Sequence, residues 1–550
     1  MSSVRIIPLG GVGEIGKNMT AIEYEDDIVV VDCGSVFPRQ DMPGVDLVIP
    51  DITYLVRNRD RIRAYLVTHG HEDHIGAFPY VYPSVPAPIY ASRLTCALIY
   101  EKMEDHGISN VQLYVVKPQE VIQTGQFSVQ FIHVSHSIAG AYALAITCPA
   151  GTVLVTGDFK IDYTPLDGKI TDLNTLAAWG SKGVLALLAE STNVERPGYT
   201  PSERTIGETF LSIFKEAHGR IIIAMFASNL QRIQQIVQYC IQFRKKICFV
   251  GRSMINVTRL AMEIGELRIP NGILVDVMDV NCYDPAQMVI LTTGSQGEPM
   301  SGLTRMATTE RRRMQITKGD TVVISATPIP GNELMVAQII NQLYRCGARV
   351  VYSRGADVHT SGHACQEELK LIHAITKPKY FIPVHGEYRM LKIHTELAQS
   401  LGTPEDHCVI LELGQALELS DDEARIAGPI PAGSVIVDGL GVGDVGNVVM
   451  RDRKRLAEDG IITIVVAMDS AAGEVVSGPD IITRGFVYVR ESEDLIMDSQ
   501  EAAMWAIENC LENDIRDWST IKQRVRDEVS HVVYDKTKRS PMILPIIMEV

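Results

Sequence analysis

A histidine-rich loop that follows a short apolar segment constrains this chain more than any other feature. Residues 64–76 read AYLVTHGHEDHIG, so His69, His71, Asp73 and His74 fall within six positions. Imidazole and carboxylate groups are the ligands that suit Zn²⁺ and its neighbouring divalent cations. On an extended turn alternate side chains point the same way, so His69 and His71 would face one point while Asp73 and His74 turn toward a second. The loop therefore predicts a site for two adjacent metal ions.

Further candidate ligands stand where other predicted strands end. His136 follows a predicted strand at 127–133, and Asp158 follows another at 152–156. A carboxylate in the position of Asp158 is able to bridge two metal ions. Each residue taken alone would more often be a loop histidine or a turn aspartate. Together with the loop at 69–74, they predict the remainder of a metal-ligand set.

Length and charge narrow the class of protein. A chain of 550 residues exceeds what one hydrophobic core supports, and about two to four domains are expected. No segment approaches the roughly 20 consecutive apolar residues of a membrane span, and the N-terminus lacks the pattern of a signal peptide, so we expect a cytoplasmic protein without a membrane partner. The net charge of −16 argues against binding nucleic acid through a general basic field, so any such contact would be local.

The ten cysteines are scattered along the chain and form no C-x-x-C pair. This distribution argues against a disulfide scaffold and against a structural zinc finger. We expect most of the cysteines to be small buried side chains.

The pattern of predicted strands and helices changes along the chain. Residues 4–190 predict short strands with few helices, whereas 201–353 alternate strands with helices, the pattern of a parallel sheet covered by helices. Thr200 and Glu203 have the spacing of a capping box, which predicts a helix opening at Pro201. A segment rich in glycine and proline at 429–446 indicates a linker, and a small α/β module follows.

A glycine-rich segment near the N-terminus imitates two nucleotide-binding motifs. Residues 11–16 match G-x-G-x-x-G, and Lys17 extends this toward a P-loop, although Asn18 stands where a Ser or Thr should bind Mg²⁺. Both motifs need a helix directly after the glycines. Here two strand-like segments follow, which predicts a glycine-rich loop between strands without a phosphate.

These motifs carry a family resemblance. The H-x-H-x-D-H loop, His136, Asp158 and Asp32 at the end of its strand resemble the successive motifs of the metallo-β-lactamase superfamily. Three further segments, LLAESTN at 187–193, HTSGHA at 359–364 and FIPVHGE at 381–387, resemble motifs A, B and C of the β-CASP nucleases. The whole chain, including GVGDVG at 441–446 and PMILP at 541–545, resembles the bacterial ribonuclease J family.

The resemblance implies an α/β fold class, namely a metallo-β-lactamase αββα sandwich with an inserted β-CASP α/β domain and a small C-terminal α/β domain. The implied boundaries are a metallo-β-lactamase domain at 1–200 and 354–428, the β-CASP insertion at 201–353, a linker at 429–460 and a C-terminal domain at 461–550.

The resemblance also implies the roles of individual residues. One metal ion would be held by His69, His71 and His136, the other by Asp73, His74 and His385, with Asp158 bridging. The catalytic residues would be His363, Glu190 and Asp158, with His363 beside the metals as proton donor and Glu190 orienting it. A pocket for a 5′-terminal phosphate would be lined by Ser228, His359 and Ser361. Weaker candidates for substrate contact are residues 251–253 and 294–298 and the basic run at 451–455, which is more often a solvated face.

The function implied is a metal-dependent ribonuclease with 5′-to-3′ exonuclease and endonuclease activity in RNA maturation and decay. Water activated between two divalent cations would attack the phosphodiester, with zinc as the first expectation and manganese or magnesium as alternatives. The expected substrate is single-stranded RNA with a 5′-monophosphate. The expected assembly is a homodimer or homotetramer, joined by other RNA-processing proteins. The alternatives are a DNA-directed β-CASP nuclease, a thioester or lactam hydrolase on the same fold, and a non-catalytic scaffold.

Overall fold

The computed structural model describes residues 3–39, 41–298, 300–308, 314–329, 332–353, 356–439, 441–469, 473–487 and 492–550. Their contacts separate two units. The first consists of Met1–Val36 and Ile49–Val435, and the second of Phe37–Val48 and Ile436–Val550.

Up to residue 200 the strands are β1 (Val4–Gly10), β2 (Val12–Gly13), β3 (Met19–Tyr24), β4 (Asp27–Val31), β5 (Leu47–Pro50), β6 (Ile62–Leu66), β7 (Ile89–Ala91), β8 (Leu113–Val115), β9 (Val121–Thr124), β10 (Phe127–Val134), β11 (Ala141–Cys148), β12 (Gly151–Val155) and β13 (Ala186–Glu190). The helices of this part are α1 (Thr53–Arg57), α2 (Glu72–Ile75), α3 (Phe78–Val81), α4 (Arg93–Asp105) and α5 (Leu173–Lys182).

Between residues 201 and 353 the strands are β14 (Ile221–Ala224), β15 (Lys246–Val250), β16 (Met288–Thr292), β17 (Thr321–Ile324) and β18 (Arg349–Val351). The helices there are α6 (Ile206–Glu216), α7 (Leu230–Gln242), α8 (Arg252–Glu263), α9 (Gly302–Thr308) and α10 (Glu333–Arg345).

Beyond residue 353 the strands are β19 (Tyr380–Val384), β20 (Gly386–Glu387), β21 (Ala416–Leu419), β22 (Ala424–Ala427), β23 (Ser434–Asp438), β24 (Gly441–Val442), β25 (Ile461–Asp469), β26 (Glu474–Arg484) and β27 (Met542–Glu549). The helices are α11 (Gln366–Thr376), α12 (Tyr388–Ser400), α13 (Asn447–Asp459), α14 (Glu493–Glu512) and α15 (Trp518–Thr537). Short 3-10 turns lie at Arg59–Arg61, Val280–Cys282, Pro285–Gln287 and Glu405–His407.

Two sheets packed face to face form the centre of the first unit. One has the order β22-β21-β1-β3-β4-β6-β7-β8, and the other β19-β13-β12-β11-β10-β9. Alternate residues of their strands point inward because side chains of a strand alternate between its two faces. They meet in one apolar core that includes Ile22 and Val29 of the first sheet and Phe131 and Leu144 of the second.

Helices cover the outer faces of these two sheets. Leu176 of α5, Ile372 of α11 and Met390 of α12 pack on the outward side chains of the second sheet, such as Leu187. On the first sheet, the ring of Phe78 in α3 meets that of Tyr65 edge-on at 5.3 Å between centroids. The αββα sandwich expected from the sequence is confirmed.

The inserted region contains a parallel sheet of order β15-β16-β14-β17-β18. Helices α6, α7 and α8 pack on one face through residues such as Phe210 and Ile236. Helices α9 and α10 pack on the other through Leu303 and Leu343. The predicted alternation of strand and helix is confirmed here.

Two details differ from the sequence expectation. Helix α6 begins at Ile206 rather than at Pro201, and its N-cap residue Thr205 makes no side-chain capping bond. Thr200 instead donates its hydroxyl to the His363 carbonyl, and Glu203 pairs with Arg232, so tertiary partners take both side chains of the apparent capping box. In the predicted linker, residues 447–459 form helix α13.

The second unit contains a small sheet in which β25 pairs antiparallel with β26 and parallel with β27. Ala503 of α14 and Val529 of α15 pack on its Ile464 and Val466. Across the described part of the chain, no helix combines the length and apolar character that crossing a membrane requires.

Candidate metal centre

The topology brings the predicted ligands to one edge of the sandwich. Strands β10, β12, β13 and β19 run in the same direction within the second sheet, and β4 and β6 run in the same direction within the first. Residues that follow the carboxyl ends of such strands meet at a common edge. His136, Asp158, Glu190 and His385 follow or end the strands of the second sheet, while Asp32 and the loop at 69–74 follow those of the first.

Three imidazoles form one group at this edge. His71 Nδ1 lies 3.1 Å from His69 Nε2 and 3.2 Å from His136 Nε2. His136 Nδ1 donates to the Gly362 carbonyl oxygen at 2.8 Å, which leaves its Nε2 without a hydrogen and facing the group. Three nitrogen lone pairs directed at one point are suited to a shared cation.

A second group joins Asp73, His74, Asp158 and His385. Asp158 Oδ2 lies 3.3 Å from His74 Nε2 and 3.4 Å from His385 Nε2. The same oxygen is 3.7 Å from His69 Nε2 of the first group. Asp158 is therefore the residue within reach of both groups, at 2% exposure.

Outer partners fix the orientation of the imidazoles. His74 Nδ1 donates to Asp32 Oδ2 at 2.7 Å, so its Nε2 faces the second group, where Asn18 Nδ2 also lies 3.0 Å from it. Asp32 itself has a left-handed backbone with φ of 60°, and Thr68 N and Leu66 O both bond to it. A strained backbone conformation of this kind persists only where the surroundings enforce it.

Electrostatics favour the metal-binding form of His69, His71, His136 and Asp158. Burial lowers the pKa of His69 and His136 well below the ordinary range and that of His71 to about 4. Burial opposes the charge of Asp158, but the imidazoles of His385 and His74 outweigh it and hold the carboxyl pKa well below its ordinary value. Neutral imidazole and ionised carboxylate are the ligand forms, so protons need not be displaced from these groups. On His74, burial opposes the charged imidazole, but the carboxylates of Asp158, Asp73 and Asp32 outweigh it and raise the pKa well above its ordinary value.

His363 and Glu190 form a pair beside the metal-ligand groups. His363 Nδ1 donates to Glu190 Oε2 at 3.0 Å, and the Glu190 carboxylate also accepts from the backbone amides of Phe159 and Ala364. Burial disfavours the charged imidazole, but the carboxylates of Glu190, Asp158 and Asp73 outweigh it and raise the pKa of His363 to about 9. The side chain of His363 is 23% exposed, so this proton-bearing group faces the opening of the site.

The glycine-rich segment supports the last histidine of the site. Strand β2 pairs with β20, and the His385 amide donates to the Gly11 carbonyl oxygen at 2.6 Å. His385 has a left-handed backbone with φ of 52°, and Gly11 and Gly13 also have positive φ. The segment that resembles a nucleotide-binding loop therefore connects strands β1 and β3 and hydrogen-bonds the backbone of His385.

Of the three residues predicted for a 5′-phosphate pocket, Ser228 and Ser361 lie beside the metal-ligand groups and His363, and His359 lies beside the inserted sheet. Ser228 lies in the loop after β14, with Oγ 3.1 Å from His71 Nε2. Ser361 Oγ accepts from Asn193 Nδ2 and from the His363 amide, so its hydroxyl hydrogen is left to donate. His359 is half-buried and lies beside the inserted sheet, where its Nδ1 is 3.2 Å from Arg232 Nη1.

A buried charge network next to these residues was not predicted. Arg232 and Glu203 are each 1% exposed and form a salt bridge at 2.8 Å. Arg232 Nη1 also donates to the Ser325 carbonyl oxygen, and Asn229 Nδ2 donates to Glu203 Oε1. Because a guanidinium only donates, His359 Nδ1 accepts and its hydrogen is on Nε2. The available sequence signal was a charged residue on the apolar face of α7, between Leu230 and Ile233.

Comparison with known protein families covers most of the chain. Residues 12–190 match the metallo-beta-lactamase superfamily, and 218–343 match the beta-CASP domain of ribonuclease J. Residues 350–410 match a Zn-dependent metallo-hydrolase RNA specificity domain, and 448–550 match the ribonuclease J C-terminal domain.

Individual proteins are similar over the full length. The chain is 44% identical to ribonuclease J2 of Bacillus subtilis, over 100% of this chain and 99% of the relative. It is 42% identical to ribonuclease J 1 of Streptococcus pyogenes and 38% identical to ribonuclease J 2 of Staphylococcus aureus, over 100% of this chain and 98% of each relative. A crystal structure of an Enterococcus faecalis protein of unknown function shares the fold, with a TM-score of 0.53 at 16% identity over 76% of this chain and 100% of that one.

Proposed function

This chain belongs to the ribonuclease J family, and from that premise we propose which residues perform its reaction and on which end of the RNA. Family membership and the His/Asp groups establish a metal-dependent ribonuclease that binds a divalent cation and hydrolyses phosphodiester bonds. Our proposal is that two cations, zinc in the first place, are held by the two groups and that cleavage proceeds both 5′-to-3′ from a monophosphorylated end and internally. The observation that carries it is the position of Asp158 between the two ligand groups.

The donor spacing fits metal ions better than hydrogen bonds. Ligands about 2.0–2.1 Å from one tetrahedral cation lie about 3.3 Å from one another. The separations from Asp158 Oδ2 to His74 and His385 are 3.3 and 3.4 Å, and those around His71 Nδ1 are 3.1 and 3.2 Å. His385 Nδ1 is buried without a protein partner. Five imidazoles in the combined set favour zinc or manganese over magnesium, which prefers oxygen.

We assign His69, His71 and His136 to one ion, Asp73, His74 and His385 to the other, and Asp158 to both. When bound, such ions supply an activated water nucleophile and stabilise negative charge on the phosphoryl group. The ligands themselves are pre-oriented by Asp32 and the Gly362 carbonyl, so little rearrangement is needed on binding.

His363 is our candidate for general acid. As the P–O3′ bond breaks, the leaving 3′-oxygen requires a proton, while the attacking water contributes the new P–O bond. His363 carries a proton because Glu190 raises its pKa to about 9, and Nδ1 is engaged with Glu190 Oε2, so Nε2–H is the atom left to donate. Glu190 acts through His363 and is a positioning residue in this scheme.

Recognition of the RNA 5′ end is assigned to Ser228, His359 and Ser361. Ser361 accepts two hydrogen bonds and keeps its hydroxyl hydrogen to donate, whereas His359 also hydrogen-bonds the Ser325 backbone. A net charge of −16 argues against a general basic field, so contacts with RNA would be local, and neutral hydrogen-bond donors are consistent with that. A terminal monophosphate presents the additional oxygens that such donors would bind.

We also propose that the chain is a homodimer or homotetramer. Strand β27 exposes Leu544, Ile546 and Met548 along one face, at 44%, 38% and 49% of their surface. A row of apolar side chains of this kind marks a contact surface more often than open surface. Light scattering of the full-length protein would measure the assembly.

The test of function uses one internally labelled RNA in three forms: 5′-monophosphate, 5′-triphosphate and circular. Wild type is compared with His71→Ala and with His106→Ala, since His106 is an exposed histidine at the end of α4. With Zn²⁺ or Mn²⁺ we expect wild type and His106→Ala to release mononucleotides fastest from the monophosphate and to cut the circle. His71→Ala should be inert.

A matching DNA and a thioester substrate complete the experiment. Cleavage of DNA or the thioester with no cleavage of any RNA would refute the substrate assignment. Equal rates on the monophosphate and triphosphate forms would refute the 5′-end pocket. An active His71→Ala would refute the metal-ligand assignment.

A further inference from the structure

The loop that carries Ser228 connects the inserted domain directly to a residue of the metal centre. Ser228 follows β14 and precedes α7, and its Oγ is 3.1 Å from His71 Nε2, a partner 157 residues away in the chain. Ser228 is half-buried, and the other side chains around His71 belong to the sandwich. The hydrogen bond between Ser228 and His71 therefore joins the inserted domain to a proposed metal ligand of the sandwich.

The geometry of His71 defines the direction of this hydrogen bond. His71 Nδ1 is the atom that faces His69 and His136, at 3.1 and 3.2 Å. An imidazole that offers the lone pair of Nδ1 carries its hydrogen on Nε2. His71 Nε2–H then donates to Ser228 Oγ, and the hydroxyl hydrogen of Ser228 is directed elsewhere.

The neighbouring imidazoles have outer partners of the same kind. His136 Nδ1 donates to the Gly362 carbonyl at 2.8 Å, and His74 Nδ1 donates to Asp32 at 2.7 Å. His69 Nδ1 lies 3.1 Å from Thr68 Oγ1. Histidine ligands of metals regularly donate their second nitrogen to such a partner, which fixes the ring and strengthens the ligand. Those three partners come from the sandwich, whereas the partner of His71 comes from the inserted domain.

The position of Ser228 is itself rigidly supported. The neighbouring Asn229 caps α7 by accepting from the Arg232 amide and donates to Glu203. Glu203 in turn pairs with Arg232 inside the inserted domain. Because the capped helix and the buried ion pair hold the neighbouring residue in place, the Ser228 hydroxyl loses little conformational freedom when it accepts a hydrogen bond.

We propose that Ser228 is a positioning residue for the metal ion held by His69, His71 and His136, in addition to its contact with RNA. The inference rests on the proposed function, because it takes His71 as a ligand. The inserted domain then contributes to metal affinity and not only to substrate recognition. Because Ser228 would also donate to the RNA 5′ end, RNA binding and metal binding at this ion are coupled, and such coupling is reciprocal.

The test measures metal binding by the full-length protein without RNA. Metal-free wild type, Ser228→Ala, Ser228→Thr and Ser212→Ala are titrated with Zn²⁺ in competition with a chromophoric chelator. Ser212 is an exposed serine on α6 whose hydroxyl donates to the Glu208 carbonyl. We expect Ser228→Ala to weaken one of the two zinc equivalents by about 10–100-fold and to leave the other unchanged. Ser228→Thr and Ser212→Ala should match wild type within about twofold.

The outcomes separate the two proposals. If wild type binds two zinc equivalents and Ser228→Ala binds both with the same affinities, the role proposed for Ser228 is wrong while the proposed function stands. Equal weakening of both equivalents also overturns it, because the hydroxyl contacts one group only. Wild type that binds no zinc refutes the proposed two-zinc site and the inference with it. Melting curves of all variants in excess chelator verify that Ser228→Ala is folded, so weaker binding cannot come from unfolding.

Discussion

Two buried polar clusters lie side by side in the first unit, and their internal organisation is opposite. The charge network consists of Lys160, Asp162, Glu203, Arg232 and Glu368, and the metal cluster of His69, His71, Asp73, His74, His136, Asp158 and His385. In the charge network each charge has a protein partner: Arg232 pairs with Glu203, and Glu368 accepts from three backbone amides. In the metal cluster, imidazole nitrogens and the Asp158 carboxylate lie 3.1 to 3.4 Å from one another.

The difference separates a cluster that stabilises the fold from a cluster whose groups are suited to binding an ion. A buried charge is tolerated when it is paired and hydrogen-bonded, so the charge network is complete without a ligand. The metal cluster instead gathers imidazole and carboxylate groups that could hold an ion, and the residues around it orient the imidazoles. The two clusters meet at the Ala227–Asn229 loop, where Asn229 bonds to Glu203 and Ser228 bonds to His71.

The largest effect should come from removing His363, the proposed proton donor beside the metal cluster. We expect His363→Ala to reduce kcat by about 10²–10⁴-fold, the range for loss of a general acid, with KM little changed. Single-turnover cleavage of 5′-monophosphorylated RNA would measure this. The metal content should remain that of wild type, because His363 is not assigned as a ligand.

Glu190→Gln separates the two effects of Glu190 on His363, namely the orientation of its ring and the rise in its pKa. The amide oxygen can still accept from His363 Nδ1, but the carboxylate that raises the His363 pKa to about 9 is gone. The acid form of His363 is then lost at lower pH, so the alkaline limb of the rate profile should move toward neutral pH. An unchanged profile together with full activity in His363→Ala would assign the proton to another group.

A smaller effect is expected when the charge network is broken. Glu203→Gln leaves Arg232 as a buried charge without its counter-ion, which should destabilise the fold by about 3–5 kcal/mol. The matched control is Glu216→Gln, which breaks a surface pair with Arg349 in which both side chains are about half exposed and costs about 1 kcal/mol or less. Urea unfolding followed by circular dichroism compares the two, and equal midpoints would show that the network is not structural.

The smallest effect concerns a buried histidine outside both clusters. Burial lowers the pKa of His373 to about 4, and its Nε2 bonds to Thr403 Oγ1 at 2.7 Å. Because the unfolded chain binds this proton near pH 6.5, stability falls as pH decreases from about 6.5 toward 4, by roughly 1 kcal/mol per pH unit. His373→Gln should flatten this dependence by that amount, whereas His106→Gln, an exposed control, should not. Parallel slopes for both variants would contradict the assignment.

Much of the architecture followed from local pattern. Apolar runs ending in polar groups predicted the strands that precede His69, His136 and Asp158, and the alternation of strand and helix predicted at 201–353 is observed. The capping-box prediction at Thr200 was wrong, because Thr200 bonds to the His363 carbonyl and Glu203 to Arg232. Local spacing cannot distinguish a capping glutamate from one that is buried against a distant arginine.

What the sequence by itself determined is the set of candidate metal ligands, since each is attached to the end of a strand and parallel strand ends share one edge. What only the tertiary structure decided is which groups outside that set contact it. The Ser228–His71 pair joins residues 157 positions apart, and the Arg232–His359 contact spans 127. Such pairs depend on how the inserted domain packs against the sandwich, and the chain carries no periodic signal for that packing.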